Sequence, residues 1–140
     1  MNPHTMPRNH TPLIAALLML TACQAETPPE PPLAGAAIGG DFTLTGEDGQ
    51  PVSWDDFTGQ YRTLYFGYTF CPDVCPVDTQ RAMAGLKAFE KANPELGAKI
   101  QPLFISVDPE RDTPEVLAEF TDNFHPRLIG MTGTKEELDR

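Results

Sequence analysis

The sequence predicts an α/β layer fold, and three observations carry that prediction. Apolar strand-like runs at 61–70, 99–107 and 128–131 alternate with helical patterns, as parallel βαβ units require. An Asp-Gly turn signal at 47–50 joins two short strand candidates ahead of them, making an N-terminal hairpin. Residues 1–22 read as a leader and Gln24 to Gly40 lacks the periodicity of a packed core, which leaves 41–140 as one folded domain.

The leader has its own logic. Pro12 to Leu20 (PLIAALLML) is too short to span a bilayer but suits the apolar core of a signal peptide over residues 1–22. Ahead of it, Arg8 and the α-amino group supply the positive charge. Leu20-Thr21-Ala22-Cys23 resembles the bacterial lipobox, in which cleavage before the cysteine leaves that residue to be lipid-modified. Cys23 is therefore the expected lipidation site, and the compartment is expected to be extracytoplasmic, where disulfides persist. Residues 23–40 are Pro-rich and then Gly-rich, with four of the chain's fifteen prolines between Pro28 and Pro32. As polyproline and coil they form a tether with a reach of about 40 Å.

Within the domain, Asp41 to Leu44 and Pro51 to Trp54 are the hairpin strands, and Asp55 to Phe57 starts a helical turn that Gly59 and Gln60 end. Tyr61 to Phe70 (YRTLYFGYTF) reads as a buried central strand. It leads into Cys71 and Cys75, each followed by proline. That context predicts extended backbone at both, with Cys75 as the cap residue and Pro76 the first residue of a helix to about Ala92. Ala82, Met83, Leu86 and Phe89 fall on its expected core face, and Asn93-Pro94 stops it. Lys99 to Val107 is a second buried strand. Asp112-Thr113-Pro114-Glu115 starts a helix that carries Val116, Leu117 and Phe120 inward and fades near Phe124. Leu128 to Met131 is a third strand, and Thr134 with Glu137 at capping-box spacing opens a last helix.

The formal charge of −10 and the scatter of the basic residues argue against nucleic acid as a partner. The chemistry lies in the two domain cysteines. A strand edge and a helix N-terminus hold both sulfurs close and favour thiolate over thiol. Such a pair exchanges disulfides, clamps a soft metal, or closes an inert structural bridge. Two thiolates with one further ligand suit Cu(I), whereas structural zinc takes four ligands, more than the mature chain's Cys and His supply. A helix-start thiol pair after a strand is also the site layout of thioredoxin-like proteins, though with three intervening residues here in place of two. The peroxidase pattern Thr-x-x-Cys is one residue short at Thr69-Phe70-Cys71.

Three stretches together carry a resemblance to a known family. Residues 65–76 (YFGYTFCPDVCP), 106–114 (SVDPERDTP) and 124–130 (FHPRLIG) resemble the signatures of the Sco/SenC/PrrC family, and the likeness runs from Gly40 to the end. It implies a thioredoxin-like fold, anchoring to a membrane, and a position facing the periplasm. The implied function is copper delivery to the copper A centre of cytochrome c oxidase, with oxidase subunit II and other copper or thiol carriers as partners. The implied alternative is a thiol–disulfide reductase that maintains the oxidase cysteines. The resemblance makes Cys71 and Cys75 the copper ligands and the redox pair, disulfide-bonded when oxidised. The family's histidine ligand lies in a segment expected beyond Arg140, so the domain is expected to be incomplete at its C-terminus. His125 matches a different stretch and is expected to be structural. Asp73 is a candidate for tuning the thiols, and Asp108 and Arg111 are expected to cap and pair.

Overall fold

In the computed structural model, which describes residues 34–35 and 40–139, the hairpin forms as its turn residues dictate. β1 (Thr43–Gly46) pairs antiparallel with β2 (Pro51–Ser53). Gly49 turns between them at φ +76°, a left-handed conformation that needs no Cβ. Trp54–Phe57 then forms a 3-10 turn, held by the Ser53 N–H donating to the Asp56 carboxylate at 2.8 Å. The chain divides into two units, Met1–Ile38 and Gly39–Arg140. Of the first, Ala34 and Gly35 alone are described. The expected signal peptide, the lipidation site Cys23 and nearly all of the tether lie outside the described residues.

β3 (Tyr61–Gly67), β4 (Ile100–Ser106) and β5 (Ile129–Thr132) are linked by helical crossovers and run parallel. β1 closes antiparallel on β5, so the sheet order is β2-β1-β5-β4-β3. This corrects the expectation that the strand leading to the cysteines is central. β4 is the middle of the parallel set, with residues 101–106 all buried, and β3 is outermost among the described strands. Tyr61 and Phe66 on β3 stay 66% and 63% exposed. Two similar apolar runs cannot be ranked by composition; the side of β3 on which β4 lands ranks them, and that is a tertiary choice. β3 also ends at Gly67 rather than Phe70, because 68–70 leave the sheet to reach the next helix.

Among the described residues the α-helices are α1 (Val74–Ala92), α2 (Pro94–Gly97), α3 (Pro114–Thr121) and α4 (Lys135–Leu138). Alternation along β4 feeds two cores. Leu103 and Ile105 pack with Leu44, Phe57 and Met131, while Phe104 packs with Met83, Leu86, Leu117 and Leu128. The second core continues as an aromatic chain, Tyr65–Phe104–Phe120–Phe124, with centroids 5.8, 5.0 and 4.9 Å apart.

α1 departs from expectation twice. Asp73 occupies the cap position and Cys75 lies inside the first turn, not at the cap. Proline disfavours helical backbone before it, but Pro76 lacks an N–H where the first turn has no acceptor to offer. The Cys75 N–H, meanwhile, finds Cys71 Sγ. The buried stripe is Cys75, Thr79, Met83 and Leu86; Ala82 and Phe89 lie on its flank and stay exposed. α2 lies beyond the expected stop: Asn93-Pro94 ends α1, and Pro94 then begins a new turn at the position where proline is preorganised. Thr113 caps α3, its hydroxyl accepting the Val116 N–H at 3.4 Å, and Pro114 follows as the first helical residue. α3 stops at Thr121, short of Phe124. The box at α4 forms as its spacing requires, between Thr134 and Glu137.

Candidate thiol site

Three local features bring the sulfurs together. Val107 donates its N–H to the Gly67 carbonyl at 2.8 Å, which ends β3 beside β4. Cys71 donates its N–H to the Tyr68 carbonyl at 3.3 Å, turning the chain back towards α1. The Cys75 N–H, one of the first-turn donors with no partner inside the helix, donates to Cys71 Sγ at 3.3 Å. Gly67 makes the close approach possible. A Cβ there would lie 2.8 Å from the Tyr65 ring and 3.2 Å from both Cys75 Sγ and the Phe104 ring.

The two thiols are chemically unequal. Cys71, half-buried and free, is drawn down to about 7, first by the Cys75 N–H, then by the Cys75 side chain and the Asp73 N–H. Tyr68 adds to this by hydrogen bonding to Cys71, and the same contact pushes the Tyr68 hydroxyl up. Cys75 is buried and free; burial pushes its thiol up, against the pull of the Tyr68 N–H. Tyr65, half-buried beside it, is raised to about 12 by burial and then by its bond to Cys75. An accessible thiol poised near neutrality beside a buried one at higher pKa is suited to attack followed by resolution.

The other sequence candidates sort clearly. Asp73 contributes through its backbone N–H. Arg111 donates from Nε to Asp108 at 2.6 Å, the expected pair, and also lies over the Phe70 ring at 5.1 Å and the Tyr68 ring at 5.9 Å. His125 is buried and structural. Its Nδ1 accepts the Arg127 N–H at 3.1 Å, so Nε2 donates to Glu90 at 3.3 Å. Arg127 also binds Glu90, holding its carboxyl below the ordinary value, and donates to the Gly97 and Ile100 carbonyls. Glu90 is far along α1 from Cys75, about 22 Å at 1.5 Å per residue, which removes His125 from the thiol site.

Four residues of the signature stretches to which the sequence assigns no role at the thiols complete the site: Gly67, Tyr65, Tyr68 and Asp112. Asp112 is wholly buried. It accepts the Thr69 hydroxyl at 2.6 Å, the Thr69 N–H at 3.0 Å and the Ser106 hydroxyl at 2.5 Å. Asp-x-x-x-Asp after a strand looks like turn and cap chemistry, and no local signal separates this aspartate from Asp108. Among the described residues no group of three or more His, Cys, Asp and Glu is placed to hold a metal, so the donors at hand are the two sulfurs.

A two-thiol loop between a parallel strand and a helix start, with the 106–114 turn packed beside it, matches known proteins over most of the chain. The SCO1/SenC family matches residues 30–140. The chain belongs to the SCO1/SenC family. Protein SenC of Rhodobacter capsulatus is 48% identical over 106 residues, 76% of this chain and 46% of that protein. The copper-bound crystal structure of Arabidopsis thaliana ScoI superposes with a TM-score of 0.68 at 43% identity, covering 74% of this chain and 62% of that one. BsSco, described as having a disulfide switch and as a member of a family of cytochrome c oxidase assembly proteins, gives 0.59 at 27%, with coverage of 71% and 58%. The fold of the family, and of this chain, is thioredoxin-like. The chain spans less than half the length of the SenC relative and under two thirds of these solved chains.

Proposed function

We propose that this chain is a copper chaperone that helps assemble the copper A centre of cytochrome c oxidase, with Cys71 and Cys75 holding Cu(I) as cargo. The observation that carries the reading is the pairing of the two sulfurs at the start of α1, with Cys71 Sγ held by the Cys75 N–H at 3.3 Å. Soft thiolates select Cu(I), and a Cys71 thiol lowered to about 7 gives up its proton readily to a metal. The copper-bound ScoI relative supports the choice of metal. We place the third donor outside the described residues, since His125 is committed to Glu90 and Arg127. Cys23 is the proposed lipid anchor, which puts the domain on the periplasmic side of a bacterial membrane within reach of oxidase subunit II. No helix among the described residues is long and apolar enough to cross a membrane.

The inequality of the two thiols favours a second reading, a thiol–disulfide reductase for the oxidase cysteines. Cys71 thiolate attacks one sulfur of the partner disulfide and the other leaves as a thiolate. Cys75, losing its proton, then attacks Cys71 and frees the second partner sulfur. The partner gains two electrons and this chain keeps the disulfide. A Cu(I) titration against a competing chromogenic chelator separates the readings. The reduced protein is expected to hold one Cu(I) per chain, and Cys71→Ser or Cys75→Ser to lose it. Retention in either serine variant would sink the two-thiol copper site, and turnover of a disulfide substrate without copper retention would make the reductase reading the function.

A further inference from the structure

The buried carboxyl of Asp112 spends its contacts on an unexpected neighbour. Thr113 caps α3, so the helix does not need it. Burying a carboxyl is unfavourable unless donors surround it. Two of the three groups that donate to Asp112, the hydroxyl and N–H of Thr69, sit in the loop after β3, 43 positions earlier in the chain. The third, the Ser106 hydroxyl, ends β4, and Ser106 Oγ in turn accepts the Asp108 N–H at 3.0 Å. Arg111 covers the rings on either side of Thr69. The 106–112 turn thus grips 68–70 from two directions. Beyond that grip only Phe70 to Val74 separate Thr69 from Cys75, which α1 holds in place.

We infer that Asp112 is a positioning residue. By holding Thr69 to the end of β4, it fixes the loop that carries Cys71 and presets the two sulfurs for disulfide closure. This rests on the thiol reading of the site. Closure transfers two electrons from Cys71 and Cys75 to oxidised glutathione, which leaves as two glutathione molecules while the S–S bond forms. A loop already ordered in the dithiol reaches that geometry with little further loss of freedom, so the sulfurs act at high effective concentration. Freeing one anchor residue lowers that concentration by about tenfold.

The experiment equilibrates the protein in glutathione buffers and counts free thiols by alkylation and mass. Asp112→Asn keeps the volume but turns a donating amide towards Thr69; its closure constant is expected to fall about tenfold. Thr69→Val, which loses only the hydroxyl bond, is expected to fall severalfold, and Thr69→Ser to match the parent. Circular dichroism establishes that each variant is folded. Folded Asp112→Asn and Thr69→Val proteins that close like the parent overturn the inference and leave Asp112 as a brace for its own turn. If Asp112→Asn does not fold, the Thr69→Val and Thr69→Ser pair decides: equal constants overturn it. A parent pair that never closes overturns the thiol reading itself, and this inference with it.

Discussion

The inequality of the two thiols yields a quantitative expectation for single-cysteine variants. Cys75→Ser leaves in place the backbone N–H that is the largest influence on Cys71, and a serine hydroxyl stands in for the second. Cys71 should therefore keep its midpoint near 7, where half is thiolate at neutral pH. Cys71→Ser leaves Cys75 buried and raised above the ordinary value of 9.0, where at most about 1% is thiolate, a roughly fifty-fold difference. Lower basicity reduces intrinsic nucleophilicity by about six- to tenfold across two units. Ionisation alone then favours Cys71 by about five- to eightfold, and burial of Cys75, 6% exposed, widens the gap. Stopped-flow reaction with a chromogenic aromatic disulfide, from pH 5 to 10, measures both variants. Equal rates at pH 7, or a Cys71 midpoint near 9, would refute the argument that the start of α1 activates Cys71. The lowered value also has a sign for stability. The thiolate's contribution is fully present above about pH 9 and is lost as pH falls through about 7, so the reduced protein should melt higher at pH 9 than Cys71→Ser predicts.

Gly67→Ala places a methyl 3.2 Å from Cys75 Sγ and 2.8 Å from the Tyr65 ring, so thermal melting should show a loss of about 1–3 kcal/mol, with slower disulfide closure. His125→Leu strands the part-buried Arg127 N–H and should destabilise by about 1–3 kcal/mol in denaturant titration. Its thiol rates should be those of the parent; a change in them would tie His125 to the site after all.

Much of the fold was legible because its causes are local. Asp48-Gly49 turns the hairpin, Asn93-Pro94 ends α1, and Thr134 with Glu137 starts α4, each through contacts within a few residues. The cysteine pair at a strand end and helix start was legible for the same reason, whereas the structural role of His125 followed from the family resemblance of residues 124–130. Sequence could not tell that β3 is outermost and β4 buried, because both are apolar runs and their order depends on which strand inserts beside which. Nor could it separate Cys71 from Cys75. They are the same residue before the same residue, yet one meets N–H groups at the start of α1 and the other is buried beside Gly67 of β3. Asp112 was hidden for a similar reason, since its partner Thr69 is 43 positions away. What the chain encodes within a turn or two it declares in its sequence. The unequal acidity of two like thiols and the anchoring of their loop arise only when distant segments share a low-dielectric, water-poor space, and that is a property of the packed structure.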